Sequence, residues 1–241
     1  MTDTTQYVKN ILLRPTDRDK QRKVGASNLV NACTRCLADD FLGNNREQGT
    51  YNMGAIVGTA IHKYLEDRNI DPEAHQELKV TLGHIRNYGD VTARLDLYLP
   101  RQGLVVDFKT STRDKIEDYK KVLDNGSEDG FDTDRMAQAR YKLESYVRQA
   151  TLYAWGLAQR GCPVEDVAIV FIARDGQIID RDVWGLTVPY SKTTALNVWF
   201  RGEALWEWLQ EPDNKPEDLP SHDECYYCNQ VRPYVDKKVT L

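Results

Sequence analysis

The clearest pattern in the chain is a pair of segments in which apolar residues recur at alternate or successive positions around a short polar break. VTARLDLYL and LVVDFKTS flank the tetrapeptide PRQG at residues 100–103, which is typical of a β-hairpin with a short loop. Counting back from this loop along both strands places Asp96 directly opposite Asp107. Lys109 returns to the same face by strand periodicity. The pattern therefore predicts that two carboxylates and a lysine converge on one face of the hairpin.

Similar patterns predict the remaining elements and the fold class. Strands are predicted over residues 77–85, 167–173 and 178–188, and helices over residues 54–68, 116–123, 133–160 and 191–209. Another helix is predicted to begin at Ser27 as its N-cap and to carry Cys33, Cys36 and Leu37 near one face. Strands and helices in this order predict an α/β fold in which helices flank a mixed central sheet.

Helical periodicity also predicts which side chains of these helices are buried. In the helix at 54–68 the predicted core-facing residues are Ile56, Ala60, Ile61, Tyr64 and Leu65. In the helix at 191–209 they are Trp199, Phe200, Leu205 and Trp206. Gly54, Gly58 and His62 share a side of the first of these helices, where glycines would allow it to approach the sheet closely.

A chain of 241 residues is long enough to bury a full core in one sizeable domain. Residues 1–24 are polar and are predicted to form an arm or a short helix, whose basic residues either touch phosphate or are simply solvated. Residues 25–241 are predicted to form a single domain. Within that domain, residues 112–134 are a charged insertion that either lies over the site as a lid or is disordered without function.

Charge and hydropathy limit the classes of partner. The chain has 32 lysines and arginines against 37 aspartates and glutamates, so its net charge of -5 gives no global attraction to nucleic acid. Any such contact must be local. No apolar run is long enough to span a bilayer, and no charged-then-apolar leader is present. We therefore expect no membrane partner and a cytoplasmic location.

Four of the five cysteines form two CxxC pairs at opposite ends of the chain, Cys33-Thr-Arg-Cys36 and Cys225-Tyr-Tyr-Cys228. In a reducing compartment this spacing indicates a metal site rather than disulfides. Four thiolates fit either Zn²⁺ or a 4Fe-4S cluster, and spacing does not separate these. We therefore predict that residues 25–45 and 220–232 form a structural metal clip, with His222 as a further ligand candidate; ordinary buried cysteines are the alternative. Cys162 is interpreted as a structural loop cysteine.

The hairpin carboxylates have a chemical use. Like charges directly opposed across two strands destabilise them, and a divalent cation held between the two carboxylates compensates. Two carboxylates and a lysine on adjacent strands bind a metal, orient and deprotonate water, and stabilise the charge that develops at phosphorus. The pattern at Asp96, Asp107 and Lys109 therefore indicates phosphodiester hydrolysis.

The motifs resemble a known nuclease signature. ARLDLYL followed by VVDFKTS looks like the PD-(D/E)xK signature, and its DFKTS form is similar to that of RecB-like nucleases. GxxxH ending at His62 resembles the first RecB-like motif, and QxxxY from Gln149 to Tyr153 resembles the fourth. The resemblance implies that His62, Asp96 and Asp107 bind the catalytic metal. It also implies that Lys109 acts on the water, and that Gln149 and Tyr153 contact substrate.

The cysteine layout resembles the iron-sulfur staple of CRISPR-associated Cas-four exonucleases and of AddB-type nuclease domains. Cys36, Cys225 and Cys228 match that layout. The last family cysteine, expected near Tyr234, is missing and Cys33 takes its place. The resemblance therefore favours a 4Fe-4S cluster and leaves Zn²⁺ open.

Together these resemblances imply a restriction-endonuclease-like fold and a metal-dependent DNA exonuclease. They imply Mn²⁺ or Mg²⁺ as the catalytic metal, with His62 favouring Mn²⁺, and single-stranded DNA ends as the substrate. The chain has no GxxxxGKS/T phosphate loop, so it supplies no ATP-driven unwinding itself, and a separate helicase or recombinase is a candidate partner in DNA recombination or repair. Stand-alone nucleases of this kind occur in phages, for which the location would be the host cytoplasm. The alternative is a non-catalytic DNA-binding or adaptor module that keeps the fold and the metal clip.

Overall fold

Five strands form a single mixed sheet that carries the described part of the chain. The computed structural model describes residues 23–44, 53–68, 71–124, 133–177 and 182–231. The strands are β1 (His75–Ile85), β2 (Gly89–Leu99), β3 (Leu104–Ser111), β4 (Asp166–Ala173) and β5 (Val183–Pro189). The helices are α1 (Ala26–Leu29), α2 (Thr34–Leu42), α3 (Met53–Asp67), α4 (Arg113–Asp124), α5 (Thr133–Ala158) and α6 (Lys192–Trp208). Short 3₁₀ turns lie at Pro100–Gln102 and Pro216–Asp218, and a π-helical turn lies at Tyr227–Val231.

The strands lie in the sheet in the order in which they occur in the chain. β3 and β4 are parallel, and the connection between them carries α4 and α5, as a parallel pair requires. The other three neighbouring pairs are antiparallel. The predicted mixed sheet flanked by helices is therefore confirmed.

The predicted hairpin is confirmed together with its register. Leu99 pairs with Leu104 across the 3₁₀ turn, and Gly103 closes the turn in the left-handed region at φ 57°. The main-chain ladder continues only as far as Leu97 and Val106. The next pair in this register is Asp96 and Asp107.

The core lies between the sheet and the long helix α5. Gly156 on α5 faces Val80 on β1, and a Cβ at this glycine would lie 2.8 Å from Val80 Cγ2. The helix therefore sits closely on the sheet, and its side chains at Leu143, Ala150, Ala154 and Leu157 are buried. This packing fixes the part of α5 that carries Gln149 and Tyr153.

The predicted helix from Ser27 to Leu37 is wrong as a single element. The chain forms α1, capped at Gly25, and then a separate helix α2 with Cys33 at its N-cap position. Between them the Asn31 side-chain oxygen accepts a hydrogen bond from the Cys33 backbone N–H at 3.1 Å. Asparagine competes with helical hydrogen bonding in this way, which ends the first helix.

Three residues that were predicted to face the core are exposed. Ala60 and Tyr64 are exposed on α3, which buries none of its side chains fully and contacts the sheet at β3. Phe200 on α6 is exposed as well. Periodicity identifies an apolar face but does not say how much of that face another element covers.

Some predictions fall on residues outside the described ranges. These are the arm at 1–22, the loop at 125–132 that follows α4, and the start of the predicted strand at 178–181. The domain core begins by Val24, which is buried. Among the described helices, none combines the length and the apolar character needed to cross a bilayer.

Candidate active site

A cleft of roughly 690 Å³ opens along the hairpin and α5. It brings together all six residues predicted for the catalytic and substrate site: His62, Asp96, Asp107, Lys109, Gln149 and Tyr153. They come from α3, β2, β3 and α5, so residues up to 91 positions apart in sequence share one cleft because of the fold.

Asp96 is held in place by the end of the β2–β3 ladder. Its Oδ2 accepts a hydrogen bond of 2.7 Å from the Phe108 backbone N–H. The side chain thus replaces the main-chain partner that this N–H would otherwise take from β2. This contact fixes the Asp96 carboxylate beside Asp107, which precedes Phe108 in β3.

Asp107 is a buried carboxyl group with only 1% exposure. Lys109 Nζ lies 2.6 Å from Asp107 Oδ2 and forms an ion pair with it. Burial raises the pKa of Asp107 to about 6, and the nearby Lys109 ammonium opposes that shift. Asp96 also raises this pKa, and a buried carboxylate beside a second carboxylate is a position that a cation would stabilise.

His62 reaches the cleft because α3 lies close to β3. One turn before it, Gly58 faces Thr110, and a Cβ there would lie 3.1 Å from Thr110 Oγ1, as the glycine pattern predicted. The His62 Nδ1 lies 3.3 Å from Asp96 Oδ1 and its Nε2 lies 3.1 Å from the Phe108 carbonyl oxygen. The hydrogen bond to Asp96 raises the pKa of His62. The imidazole therefore bridges the Asp96 carboxylate and the β3 backbone.

Glu77 on β1 is a residue of this site that the sequence analysis missed. One donor atom each from His62, Glu77 and Asp96 lie within 4.8 Å of one another, a group that does not include Asp107. Glu77 has a φ of 48°, which is rare for a residue other than glycine within a strand. Such a conformation costs on the order of 1–3 kcal/mol and occurs most often at functional sites.

Gln149 and Tyr153 form the α5 side of the cleft. The Gln149 amide Nε2 lies 2.5 Å from the Tyr153 hydroxyl and donates to it. Tyr153 is buried, and this burial raises the pKa of its hydroxyl well above the ordinary value, so the group is neutral. The pair therefore presents neutral hydrogen-bonding groups to the cleft that also contains the carboxylates.

The donors around the cleft fit a divalent cation. Carboxylate oxygens come from Glu77, Asp96 and Asp107, a nitrogen comes from His62, and a main-chain oxygen of Phe108 lies beside that ring. Magnesium and manganese prefer oxygen ligands, and an imidazole nitrogen favours manganese over magnesium. The residues present therefore fit such an ion.

The two CxxC pairs meet in a second candidate metal site. Cys36 Sγ lies 3.5 Å from both Cys225 Sγ and Cys228 Sγ, and Cys33 Sγ lies 3.6 Å from Cys228 Sγ. Hydrogen bonds from Cys225 and Cys36 lower the pKa of Cys33, whereas burial raises that of Cys228 to about 11. Four sulfur atoms this close suit a tetrahedral ion or a cluster.

Neighbouring contacts hold the two cysteine segments together. Arg35 donates hydrogen bonds to the carbonyl oxygens of Leu219 and Glu217, at 3.0 and 2.8 Å. His222 is not part of the group of close donors, and its Nδ1 instead accepts from the Glu224 backbone N–H. Cys162 lies apart and packs against the main core, as its interpretation as a structural cysteine requires.

Comparison with known proteins gives similarity of fold at low identity. No protein-family model and no curated protein sequence matches the chain. A phage-related exonuclease from Haemophilus somnus 129PT is 18% identical, with a TM-score of 0.45, over 77% of this chain and 92% of that one. LHK-Exo, an alkaline exonuclease from Laribacter hongkongensis, is 13% identical, with a TM-score of 0.46, over 78% of this chain and 88% of that one. Its complex with dAMP aligns at 13% identity, with a TM-score of 0.48, over 81% and 93% of the two chains. At these values, function has to be argued from the chain's own side chains.

Proposed function

We propose that this protein is a metal-dependent nuclease of the PD-(D/E)xK type, which hydrolyses phosphodiester bonds in DNA as an exonuclease on single-stranded ends. The observation that carries the proposal is the buried Asp107 carboxylate, which lies beside Lys109 and Asp96 in an open cleft. A solvated edge strand has no reason to bury a carboxylate in this way.

The residues take distinct parts in this chemistry. His62, Asp96 and Asp107 would hold Mn²⁺ or Mg²⁺, with Glu77 as an additional carboxylate. The ion supplies Lewis acidity and a water of lowered pKa when bound. Lys109 directs its ammonium to the same cleft, where it orients the attacking water and stabilises the negative charge that develops on the phosphate oxygens. Gln149 and Tyr153 hold the strand against the opposite wall.

The cysteine site is assigned a structural part in the same proposal. Its four sulfur atoms would hold a 4Fe-4S cluster, with Zn²⁺ as the alternative, and they join segments from both ends of the chain. The cysteine sulfurs form a group separate from that of His62, Glu77 and Asp96. In this proposal the cysteine site stabilises the fold and the carboxylate site carries out catalysis. A helicase or recombinase would be the partner that prepares single-stranded ends.

The test is end-labelled DNA digestion with wild type and Lys109→Ala in Mn²⁺. We expect wild type to release short products from single-stranded ends and the variant to lose activity by at least about a hundredfold while still binding DNA. Lys192→Ala, which removes an exposed lysine from the start of α6, is the matched control and should cleave normally. A wild type that binds DNA but cleaves none with any divalent metal would establish the adaptor alternative instead.

A further inference from the structure

Two cations face each other on the strands next to the candidate active site. Lys79 on β1 pairs directly with Arg94 on β2, and both line the cleft. Like charges directly opposed on an antiparallel pair destabilise the sheet. Lys79 has no ion-pair partner among the described residues, and the Glu77 carboxylate lies 3.8 Å from the Arg94 guanidinium. Lys79 is therefore the cation of this pair that an anion from outside the chain would neutralise.

The cleft side of β1 and β2 is open over this region. Alternation buries Val80, Ala93 and Leu95 against the core, whereas Lys79 and Arg94 are exposed on the other face. Successive cross-strand pairs on this open face lie about 7 Å apart along the strands. From the candidate active site outwards, the pairs on this face are Lys79 and Arg94, then Thr81 and Thr92.

A third cation extends this row. Lys23 lines the same cleft, and its Nζ would lie 3.5 Å from a Cβ at Gly89, the first residue of β2. Three basic groups thus line the cleft beyond the carboxylates, in a chain whose net charge is -5, while the acidic Asp90 next to Gly89 is paired with His84 at 2.8 Å. This local field is opposite in sign to that of the whole molecule.

We propose that Lys79 and Arg94, continued by Lys23, form a track that binds consecutive phosphates of a single nucleic-acid strand. The inference rests on the proposed function, because the phosphate that reacts would lie at Asp96 and Asp107 and the track holds the phosphates next to it. Arg94 offers a fork of donors to a phosphate, and Lys79 a point charge. The cleft is lined by a single tyrosine, Tyr153, and by no phenylalanine or tryptophan within the described part of the chain, so there is little surface on which bases stack. The track therefore binds phosphates according to their charge and spacing, and its affinity does not depend on base sequence.

The experiment measures binding separately from cleavage. A fluorescent single-stranded oligothymidylate is titrated with protein in EDTA, so that no cleavage occurs, at several salt concentrations. In Lys79→Thr/Arg94→Thr the slope of log K against log salt should fall by about 1.4, since each single-strand phosphate contact contributes about 0.7. Affinity at low salt should fall on the order of tenfold, equally for oligomers of any base. Threonine suits a strand, which keeps the sheet intact.

Two further variants make the outcome decisive. Lys192→Thr/Arg160→Thr removes the same charge from exposed positions outside the cleft and should leave slope and affinity unchanged. Lys79→Glu should weaken binding further but raise the melting temperature of the free protein, because it turns a repulsive cross-strand pair into an attractive one.

The proposal is overturned by a wild type that does not bind the oligomer, by an unchanged slope in the cleft double variant, or by an equal loss in the control. Failure of the nuclease proposal has a different signature. Wild type would then cleave nothing in Mn²⁺, while the cleft and control variants would still separate in the binding assay.

Discussion

At the scale of single residues, Asp107 links burial to metal binding. Its pKa of about 6 in the metal-free chain means that below pH 6 it holds a proton, which a cation has to displace. His62, whose pKa is raised by Asp96, must also lose a proton before it can act as a ligand. Both shifts make metal affinity fall on acidification.

We therefore predict that the affinity for Mn²⁺ at pH 5 is lower than at pH 8 by about tenfold or more, with the loss concentrated below pH 7. Calorimetric titration of metal-free protein across this range measures it. In Asp107→Asn the overall affinity should be lower and the part of the pH dependence due to this carboxyl should vanish. An affinity that stays flat between pH 5 and pH 8 in wild type would contradict the prediction.

Glu77 gives a second prediction at this scale. Because its carboxylate lies within 4.8 Å of His62 and Asp96 donors, Glu77→Gln should weaken Mn²⁺ binding by about 10- to 100-fold with little change in melting temperature. Glu77→Gly should weaken binding equally yet stabilise the fold by about 1 kcal/mol, because glycine accepts the φ of 48°. Calorimetric titration and thermal unfolding of both variants separate the lost ligand from the relieved strain. Unchanged Mn²⁺ affinity in both variants would remove Glu77 from the site.

At the scale of elements, the hairpin shows why the placement of Asp96 beside Asp107 could be predicted by counting residues. A four-residue connection fixes the β2–β3 register, so counting is enough to bring Asp96 and Asp107 together. The β1–β2 pair contains an irregularity between Thr81 and Gly83. Counting back from the turn between β1 and β2 without this irregularity would place Leu78, not Glu77, opposite Asp96. The sequence pattern does not reveal the extra residue, so Glu77 could not be predicted.

The N-terminal helices show a different limit. Periodicity over residues 27–37 was compatible with one helix, and only the hydrogen bond from the Cys33 N–H to Asn31 breaks it. Asn31 Oδ1 also accepts from the Tyr141 hydroxyl on α5 at 3.1 Å. This side chain therefore ties the start of the cysteine segment to the helix that carries Gln149 and Tyr153, a tertiary contact that no local pattern encodes.

We predict that Asn31→Ala destabilises the protein by about 1–3 kcal/mol, because two donors lose their acceptor at a partly buried site. Tyr141→Phe, which removes only one of the two hydrogen bonds, should cost less. Denaturant unfolding measures both, and metal analysis after dialysis should show faster loss of the cysteine-bound metal from Asn31→Ala. An unfolding free energy equal to that of wild type would mean that these contacts do not hold the junction.

At the scale of the whole molecule, the cysteine site brings together two segments that are far apart in the chain. Cys36 and Cys225 are 189 positions apart, and closing a flexible loop of that length costs roughly 4–5 kcal/mol of chain entropy. A metal that binds only to the folded state stabilises that state relative to the unfolded chain. The segment before the cysteines, at Gly25 to Ser27, also lines the candidate active-site cleft, so a metal bound by the cysteines would support one wall of that cleft.

The last prediction concerns loss of this clip. Cys36→Ser should remove the bound metal and destabilise the protein by a few kcal/mol, because the sulfur of Cys36 contacts both cysteines of the other pair. Cys162→Ser is the matched control, since that thiol lies outside the cluster, and it should keep both metal and melting temperature. Thermal unfolding measures the loss, and visible absorbance of anaerobic wild type separates a brown 4Fe-4S protein from a colourless zinc protein. Because the carboxylates lie on the sheet and not on the clip, Cys36→Ser at low temperature should still bind Mn²⁺ at the cleft. A variant that loses no stability would show that packing alone holds the two ends together.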